Sequence, residues 1–210
     1  NIRFPAADTV SAETAGSERI RINAGGQVLI GTNTARTSGG GVYAHLQLEG
    51  TTSQEAELLI TRNSADTYSP TLGLVKTRGT SDGAVTTVQD DDVLGTIQFR
   101  GADGSDIYSV GASIFARVNG TPSDGTDMPG ELVFATTADG ASSPTERLTI
   151  DSSGNTGINC TSGGGKLAIL ANASTYEGLE LQTPSGDGRG EFHIGVHQTG
   201  TTSGRSIVFK

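Results

Sequence analysis

The most regular feature of the chain is an alternation of apolar and polar side chains over short stretches. Successive residues of a β-strand point to opposite faces, so a period of two predicts a strand with one apolar face. Clusters of Gly, Ser, Thr, Asp and Asn separate the stretches, as turns require. The alternating apolar positions are Ala44, Leu46 and Leu48; Ile97 and Phe99; Ala112, Ile114, Ala116 and Val118; Leu132 and Phe134; Leu148 and Ile150; Leu179 and Leu181; Phe192, Ile194 and Val196; and Ile207 and Phe209. The pattern predicts an all-β fold.

A helix competes with a strand in one stretch, residues 52–60. Thr52 and Glu55 have the spacing of a capping box ahead of good helix formers. The stretch is short, however, and residues 177–181 resemble it with a glycine inside. We therefore favour a strand here.

Two stretches are near copies of each other: residues 18–27 read ERIRINAGGQ and residues 146–155 read ERLTIDSSGN. Each has Glu-Arg, two apolar residues two positions apart and then a run of turn-forming residues. A second short apolar piece follows, at residues 28–31 and 156–158. We predict a β-hairpin used twice, and such repetition is typical of elongated modular proteins.

Residues 144–155, PTERLTIDSSGN, resemble a motif common in bacteriophage tail fibre proteins, and residues 130–143 are similar to the segment that precedes it there, especially in marine and cyanobacterial phages. Residues 1–8 and 94–101 resemble further parts of the same pattern. The resemblance implies a structural virion protein, an elongated, repeat-containing β fibre segment that forms an intertwined homotrimer. Implied partners are two further copies of the chain, other tail or baseplate proteins and, through the distal end, a bacterial surface receptor, either a glycan or an outer-membrane protein.

The repeat also predicts how the chain is divided. Residues 1–17 would end a preceding module, residues 18–145 would form a first repeat module, and residues 146–210 would form a second, truncated one. Residues 204–210 resemble residues 130–134, the strand that precedes the motif. We therefore expect a third copy beyond Lys210 in the intact protein.

Composition predicts that one chain alone has a thin core. Of the 210 residues only 33% are hydrophobic, 31 are Gly, and there is no Trp beside six Phe and four Tyr. Few side chains can therefore bury the area that aromatics provide. Association of several chains would bury apolar strand faces that one chain leaves wet, so we predict an obligate oligomer. The predicted trimer core consists of Ile20, Ile22, Ile97, Phe99, Ile114, Leu132, Phe134, Leu148 and Ile150.

Charge and cysteine content restrict the partners. The net charge is −9, and no Lys/Arg cluster is present that could neutralise successive phosphates, so nucleic-acid binding is not expected. Cys160 is the only cysteine, which excludes a disulfide within the chain. No signal peptide opens the chain, and no apolar run has the length needed for membrane insertion. We expect synthesis in the host cytoplasm and a final location in the virion.

Two kinds of metal site can be considered. His193 and His197 lie four residues apart on a predicted strand and could present imidazoles from three chains to one axial ion. Tail fibres that hold axial metals use His-x-His, so this spacing departs from their pattern, and we favour two histidines on a polar strand face.

Clustered carboxylates could suggest calcium, but none has the spacing of a calcium loop. These carboxylates are Asp90 to Asp92, Asp103 with Asp106, and Asp124 with Asp127. We predict no cofactor and no metal.

Catalysis is not predicted either. Paired carboxylates could hydrolyse a surface polysaccharide, but acidic residues are too common here to discriminate. No local signature of a catalytic nucleophile surrounds any Ser or Cys160. The preferred function is thus a segment of a tail fibre, and the alternatives are a glycan-degrading tailspike and a bacterial surface adhesin built from β repeats.

Overall fold

A computed structural model of the protein describes residues 1–123, 125–160 and 166–169. The eleven regular elements in these ranges are all β-strands, and they form one sheet of five strands and one of six. The predicted all-β class is therefore confirmed. The predicted strands at residues 179–181, 192–196 and 207–209, together with His193 and His197, lie outside the described residues. So do residues 204–210, which resemble the strand that precedes the motif.

The smaller sheet holds the first five strands in sequential order. Neighbouring strands from β1 to β4 are antiparallel, whereas β4 and β5 are parallel. Ile and Val dominate the apolar positions, and β-branched side chains suit a pleated, half-buried surface. The strands are β1 (Ile2–Arg3), β2 (Val10–Thr14), β3 (Ser17–Ile22), β4 (Val28–Ile30) and β5 (Leu46–Leu48).

The larger sheet holds the other six strands in the order β11-β10-β9-β8-β7-β6. Its strands are antiparallel except for the parallel pair β10 and β11. Strand β6 forms one edge of this sheet, so one side of its backbone faces no other strand of the described chain. The strands are β6 (Val93–Gly101), β7 (Ser109–Val118), β8 (Gly130–Thr136), β9 (Thr145–Ile150), β10 (Thr156–Ile158) and β11 (Leu167–Ile169).

Both near-copies fold as hairpins, β3–β4 and β9–β10. In the first turn the Asn23 N–H donates to the carbonyl of Gln27 at 3.1 Å, and the Gly26 N–H donates to the carbonyl of Asn23 at 2.9 Å. The Asn23 side-chain oxygen accepts from the N–H groups of Gly25 and Gln27. An Asx side chain thus satisfies the backbone of the turn, as turn chemistry predicts.

The second turn has the same hydrogen bonds, with Asp151 in the place of the asparagine. The Asp151 N–H donates to the Asn155 carbonyl at 2.9 Å, and the Gly154 N–H donates to the Asp151 carbonyl at 2.9 Å. One carboxylate oxygen of Asp151 accepts from the N–H groups of Ser153 and Asn155. Gly154 has φ +73°, a conformation that L side chains disfavour.

The likeness of the two regions extends to the preceding strands. Arg19 and Arg147 are the extra residues of β-bulges, because the ladders of β3 with β2 and of β9 with β8 each skip that one position. Each arginine donates from Nε to a threonine hydroxyl on the preceding strand at 3.0 Å, Arg19 to Thr14 and Arg147 to Thr136. Both regions also end in a parallel strand. The module boundaries after residues 17 and 145 stay a prediction.

Residues 52–60 form neither the helix nor the favoured strand. The Glu55 carboxylate accepts from the N–H groups of Thr51 and Thr52, and the Glu55 N–H donates to the Thr52 carbonyl at 3.2 Å. Thr52 and Glu55 therefore bond to each other as the capping-box spacing predicts, but they form only a single turn within residues 51–56. Leu58 and Leu59 beyond it are exposed, and a short helix without a packed face is marginal in water. The strand expectation was wrong because no strand of the described chain pairs here.

Residues 57–76, which we name the unpaired segment, follow this turn. Within the described part of the chain they make no backbone-to-backbone hydrogen bond. The chain then turns back: the Thr86 N–H donates to the Thr77 hydroxyl at 2.8 Å, and the Arg78 N–H donates to the Thr86 carbonyl at 3.2 Å. Arg78 also forms a two-pronged ion pair with Asp92, at 2.6 and 2.9 Å. That ion pair fixes the end of the unpaired segment beside the start of β6.

The turn geometry yields a stability prediction for Gly154→Ala. A Cβ at this position would meet nothing closer than the Lys166 ammonium at 3.9 Å, so the cost comes from the positive φ alone. We expect a loss of about 1–2 kcal/mol in the free energy of unfolding. Gly101→Ala is the matched control, since the site is open and has no positive φ. Equal stability of the two variants in denaturant titrations would contradict the described turn.

Candidate functional site

One face of the larger sheet carries a continuous row of large apolar side chains, which we name the apolar ladder. Ile97 is paired with Ile114, Ile114 with Phe134, Phe134 with Leu148, and Leu148 with Ile158. Directly paired residues of neighbouring strands project from the same face and pack against each other. The apolar ladder therefore crosses five strands in a single row.

The apolar ladder lies on the more exposed face of the sheet. Ile97 is 48% exposed, Phe134 37%, and Phe99, two positions along β6 from Ile97, 56%. On β8 the opposite face is the buried one: Val133 is 0% exposed and Ala135 4%. In a single chain, the side chains that would gain most from leaving water therefore remain in it.

The smaller sheet has the same arrangement. Ile20 and Ile22 are paired with Ile30 and Val28, and both are substantially exposed. On the opposite face Leu29 and Ser11 are buried, and Arg21 is half-buried. Both sheets thus present an apolar face to solvent. An exposed apolar patch of this kind is typical of a protein–protein contact surface.

The nine residues predicted as a trimer core all lie on strands, and each projects from one of these two faces. None of them belongs to the buried hydrophobic core of the described chain. Seven are exposed, whereas Ile114 and Leu148 are half-buried. Their role at a contact between chains therefore stays a prediction. The single-chain core consists instead of Leu29, Val88, Val118, Val133 and Ala135.

Sequence reasoning missed Val133, and it placed Val118 among the alternating apolar positions but not in the predicted core. Val133 alternates with Glu131 and Ala135, so its face of β8 carries one acid and one small residue and looks like the solvent side. Glu131 is nevertheless buried, because the guanidinium of Arg117 pairs with it from β7. The opposite charges of Arg117 and Glu131 could have indicated this burial, because the two residues lie directly opposite each other on β7 and β8, where opposite charges stabilise a strand pair.

This ion pair also bears on the glycosidase alternative. Arg117 contacts a second carboxylate, that of Glu146, at 3.3 Å, and the Asn119 amide donates to Glu131 at 3.3 Å. Asn119 in turn accepts from the Ser152 hydroxyl at 2.7 Å. Glu131 is only 8% exposed, so a polysaccharide has no access to both carboxylates. The network ties three strands and a turn together, and it supports no hydrolytic site.

Several of the aspartates considered for calcium have hydrogen-bond partners within the chain: Asp90 accepts from the Gly120 N–H at 2.7 Å, Asp92 pairs with Arg78, and Asp103 and Asp127 accept within their own turns. Asp103 accepts from the N–H groups of Asp106 and Ser105 and from the Ser109 hydroxyl, all within 3.0 Å. These hydrogen bonds lower the pKa of Asp103 to about 2, and the one from the Asp106 N–H contributes most to the shift. Asp127 accepts from the Ser123 N–H, while Asp124 lies outside the described residues. Among the residues that the structure describes, no His, Cys, Asp or Glu cluster could hold a metal ion.

A shallow polar cleft of about 480 Å³ lies where loops of the two sheets meet. Thr37, Arg36, Asp106 and Tyr108 line it. The Arg36 guanidinium is held by Glu49 at 2.5 and 2.8 Å, and the Asp106 carboxylate accepts from the Tyr108 N–H. The charged groups of the cleft are therefore already occupied within the chain.

No helix among the described residues could cross a membrane.

Comparisons with known proteins point in one direction. No protein-family model and no curated protein matches the chain. Among solved structures it is similar to the carboxy-terminal domain of the bacteriophage T5 L-shaped tail fibre, with 16% identity and a TM-score of 0.54 over 88% of this chain and 74% of that one. The same domain with its intramolecular chaperone domain gives 15% identity and a TM-score of 0.53, over 90% of this chain and 54% of that one. The fold is thus one that a phage tail fibre domain also has.

The ion pair at the end of the unpaired segment predicts a measurable titration. The Arg78 guanidinium, helped by the Gln89 N–H, lowers the pKa of Asp92 from 3.8 to about 2. A pKa lowered by folding means that ionised Asp92 stabilises the fold above about pH 4, and that this contribution is lost as the pH falls towards 2. In Arg78→Met we expect the pKa of Asp92, followed by carboxylate NMR shifts, to rise towards 3.8.

Asp103 is the internal control for this titration. Its pKa of about 2 comes from hydrogen bonds within its own turn, without Arg78, and should stay unchanged in the variant. An Asp92 pKa that does not respond to Arg78→Met would show that the ion pair is not formed in solution.

Proposed function

We propose that this chain is a structural segment of a bacteriophage tail fibre, assembled as a homotrimer, that supports attachment of the virion to its bacterial host. The main support for the proposal is the apolar ladder. In a single chain this face, the most hydrophobic one of the larger sheet, is exposed to water. The likeness to the T5 tail fibre domain supports the same class. The motif at residues 144–155 adds the resemblance to fibres of marine and cyanobacterial phages.

The balance of buried and exposed side chains supports self-association. Within the described residues, five hydrophobic side chains are buried, while 27 large hydrophobic ones are exposed. Burial of apolar surface is the main favourable term in folding and association. A homotrimer could bring three apolar ladders together around one axis and so exclude water from all of them.

The proposed role is mechanical. Three chains joined through aliphatic and aromatic strand faces would form a shaft or connector that holds the receptor-binding end away from the particle. Further partners would be other tail or baseplate proteins and, at the distal end, a glycan or outer-membrane protein of the host. The chain would be made in the host cytoplasm and become part of the virion. No observation favours the glycan-degrading tailspike or the bacterial adhesin over this role.

The mass of the protein in solution tests the assembly. We expect light scattering to give three times the 21.4 kDa of the chain, and the same mass after mild detergent. The reason is that the apolar sheet faces are buried only in the assembly, where they pack against the same faces of the other copies. A folded monomer would contradict the proposal.

Truncation of the ladder tests which surface holds the trimer together. Phe134→Ala and Phe99→Ala should each cost about 3–5 kcal/mol per buried site, three times over in a trimer. Thermal unfolding followed alongside the mass should show earlier melting and dissociation. Val85→Ala is the control, because this side chain is 97% exposed and lies off both sheets. Phenylalanine variants that melt and assemble like the control would exclude this face as the interface.

A further inference from the structure

We infer that the unpaired segment, residues 57–76, pairs through its backbone with the free edge of β6 in a neighbouring copy of this chain. The inference rests on the proposed homotrimer and names a second contact within it, distinct from the apolar ladder. It follows from four features of the described residues: unpaired backbone, exposed apolar side chains, local anchoring and a complementary edge.

The first feature is the backbone of the segment. Residues 57–64 and 68–76 run without a turn or bend, and apart from Pro70, which has no N–H, each residue carries a backbone donor and acceptor that a ladder could use. None of these groups bonds to another backbone group of the described chain. Backbone donors and acceptors of folded proteins are nearly all paired, and a straight run of free ones can form a ladder with another strand.

The second feature is the character of the side chains. Leu58, Leu59, Leu72 and Val75 are between 64% and 93% exposed. A solvated linker is normally polar and rich in Ser, Gly, Pro and charged residues, whereas each straight run here carries several aliphatic residues. The side chains are those of a strand with a missing neighbour.

The third feature is that the segment is held in place. Between the two straight runs, the Arg62 guanidinium pairs with the Asp66 carboxylate and donates to the Tyr68 carbonyl at 2.6 Å. Asp66 accepts in turn from the Tyr68 N–H at 3.0 Å. At the far end, Arg78 is paired with Asp92. Ordering of these residues before association reduces the entropy lost when a partner strand binds.

The fourth feature is the edge that would receive the segment. Strand β6 has nine residues, Val93–Gly101, whereas the other sheet edges β1, β5 and β11 have two or three. Long edges are normally protected by proline, lysine, a β-bulge or a covering segment. Strand β6 contains neither proline nor lysine, and although it has a bulge at Leu94, residues 95–99 keep a regular register with β7. In its own chain Leu74 of the segment lies against Gly95 of β6, but the segment forms no ladder with this strand.

The symmetry of such an exchange is that of a closed trimer. Each copy would donate its unpaired segment to one neighbour and receive the segment of the other at β6. A head-to-tail contact of this kind closes into a ring when the rotation between copies is one third of a turn. Every copy then has its longest sheet edge covered, and only the short edges β1, β5 and β11 remain.

Amide hydrogen exchange on the assembled wild-type protein tests the pairing directly. We expect amides within residues 57–61 and 72–76 to exchange on the order of 100-fold more slowly than unstructured amides. The β6 amides that do not donate to β7 should be protected as well. The described part of the chain offers none of the segment amides a backbone acceptor, so we expect their protection to come from a neighbouring copy.

Val75→Pro and Val75→Ala form a matched pair. The Val75 N–H donates to no group of the described chain, so proline removes a donor that no described residue of the same chain uses. Alanine removes the same apolar side chain and keeps the N–H. We expect Val75→Pro to lose the protection of both the segment and the β6 edge, and Val75→Ala to retain most of it.

The outcomes separate this inference from the proposed function. A trimer by light scattering with rapid exchange in residues 57–76 would overturn the strand pairing and leave the trimer intact. Protection of the segment without protection of the β6 edge would overturn β6 as its partner. A monomeric protein would overturn both, because no neighbouring copy would exist.

Discussion

The burial of apolar sheet faces is the constraint on which this structure depends. Backbone hydrogen bonds join the neighbouring strands of each sheet, but they specify only which strands are neighbours. The large aliphatic and aromatic side chains lie mainly on the faces that a single chain leaves in water. In the proposed trimer these side chains would be buried between copies rather than in a core of each chain.

The opposite faces show how the chain remains folded with so thin a core. On β8 the buried face consists of Glu131, Val133 and Ala135, which is far less apolar than the exposed one. It is stable because Arg117 satisfies the buried carboxylate, and because Asn119 links that ion pair to the turn after β9. The interior is small and closely hydrogen-bonded.

The two hairpins show how one local solution serves twice. Asn23 and Asp151 differ in charge, yet each accepts from the same two backbone N–H groups of its turn. Arg19 and Arg147 form equivalent bulges and bond to equivalent threonines. The loops that precede the two β-hairpins differ in length, so the shared geometry comes from the hairpin residues themselves.

The sequence by itself determined the class of fold, the positions of most strands and both hairpins, because alternation and turn chemistry depend on residues that are close along the chain. It also grouped residues such as Ile97, Phe134 and Leu148 correctly by strand face. Tertiary structure alone decided that Val133 is buried while Phe134 is exposed, that β5 and β11 pair in parallel, and that residues 57–76 find no partner within the described chain. These outcomes depend on contacts between residues far apart in sequence, and at residues 52–60 the absence of such a contact left only one turn where local preference allowed a helix or a strand.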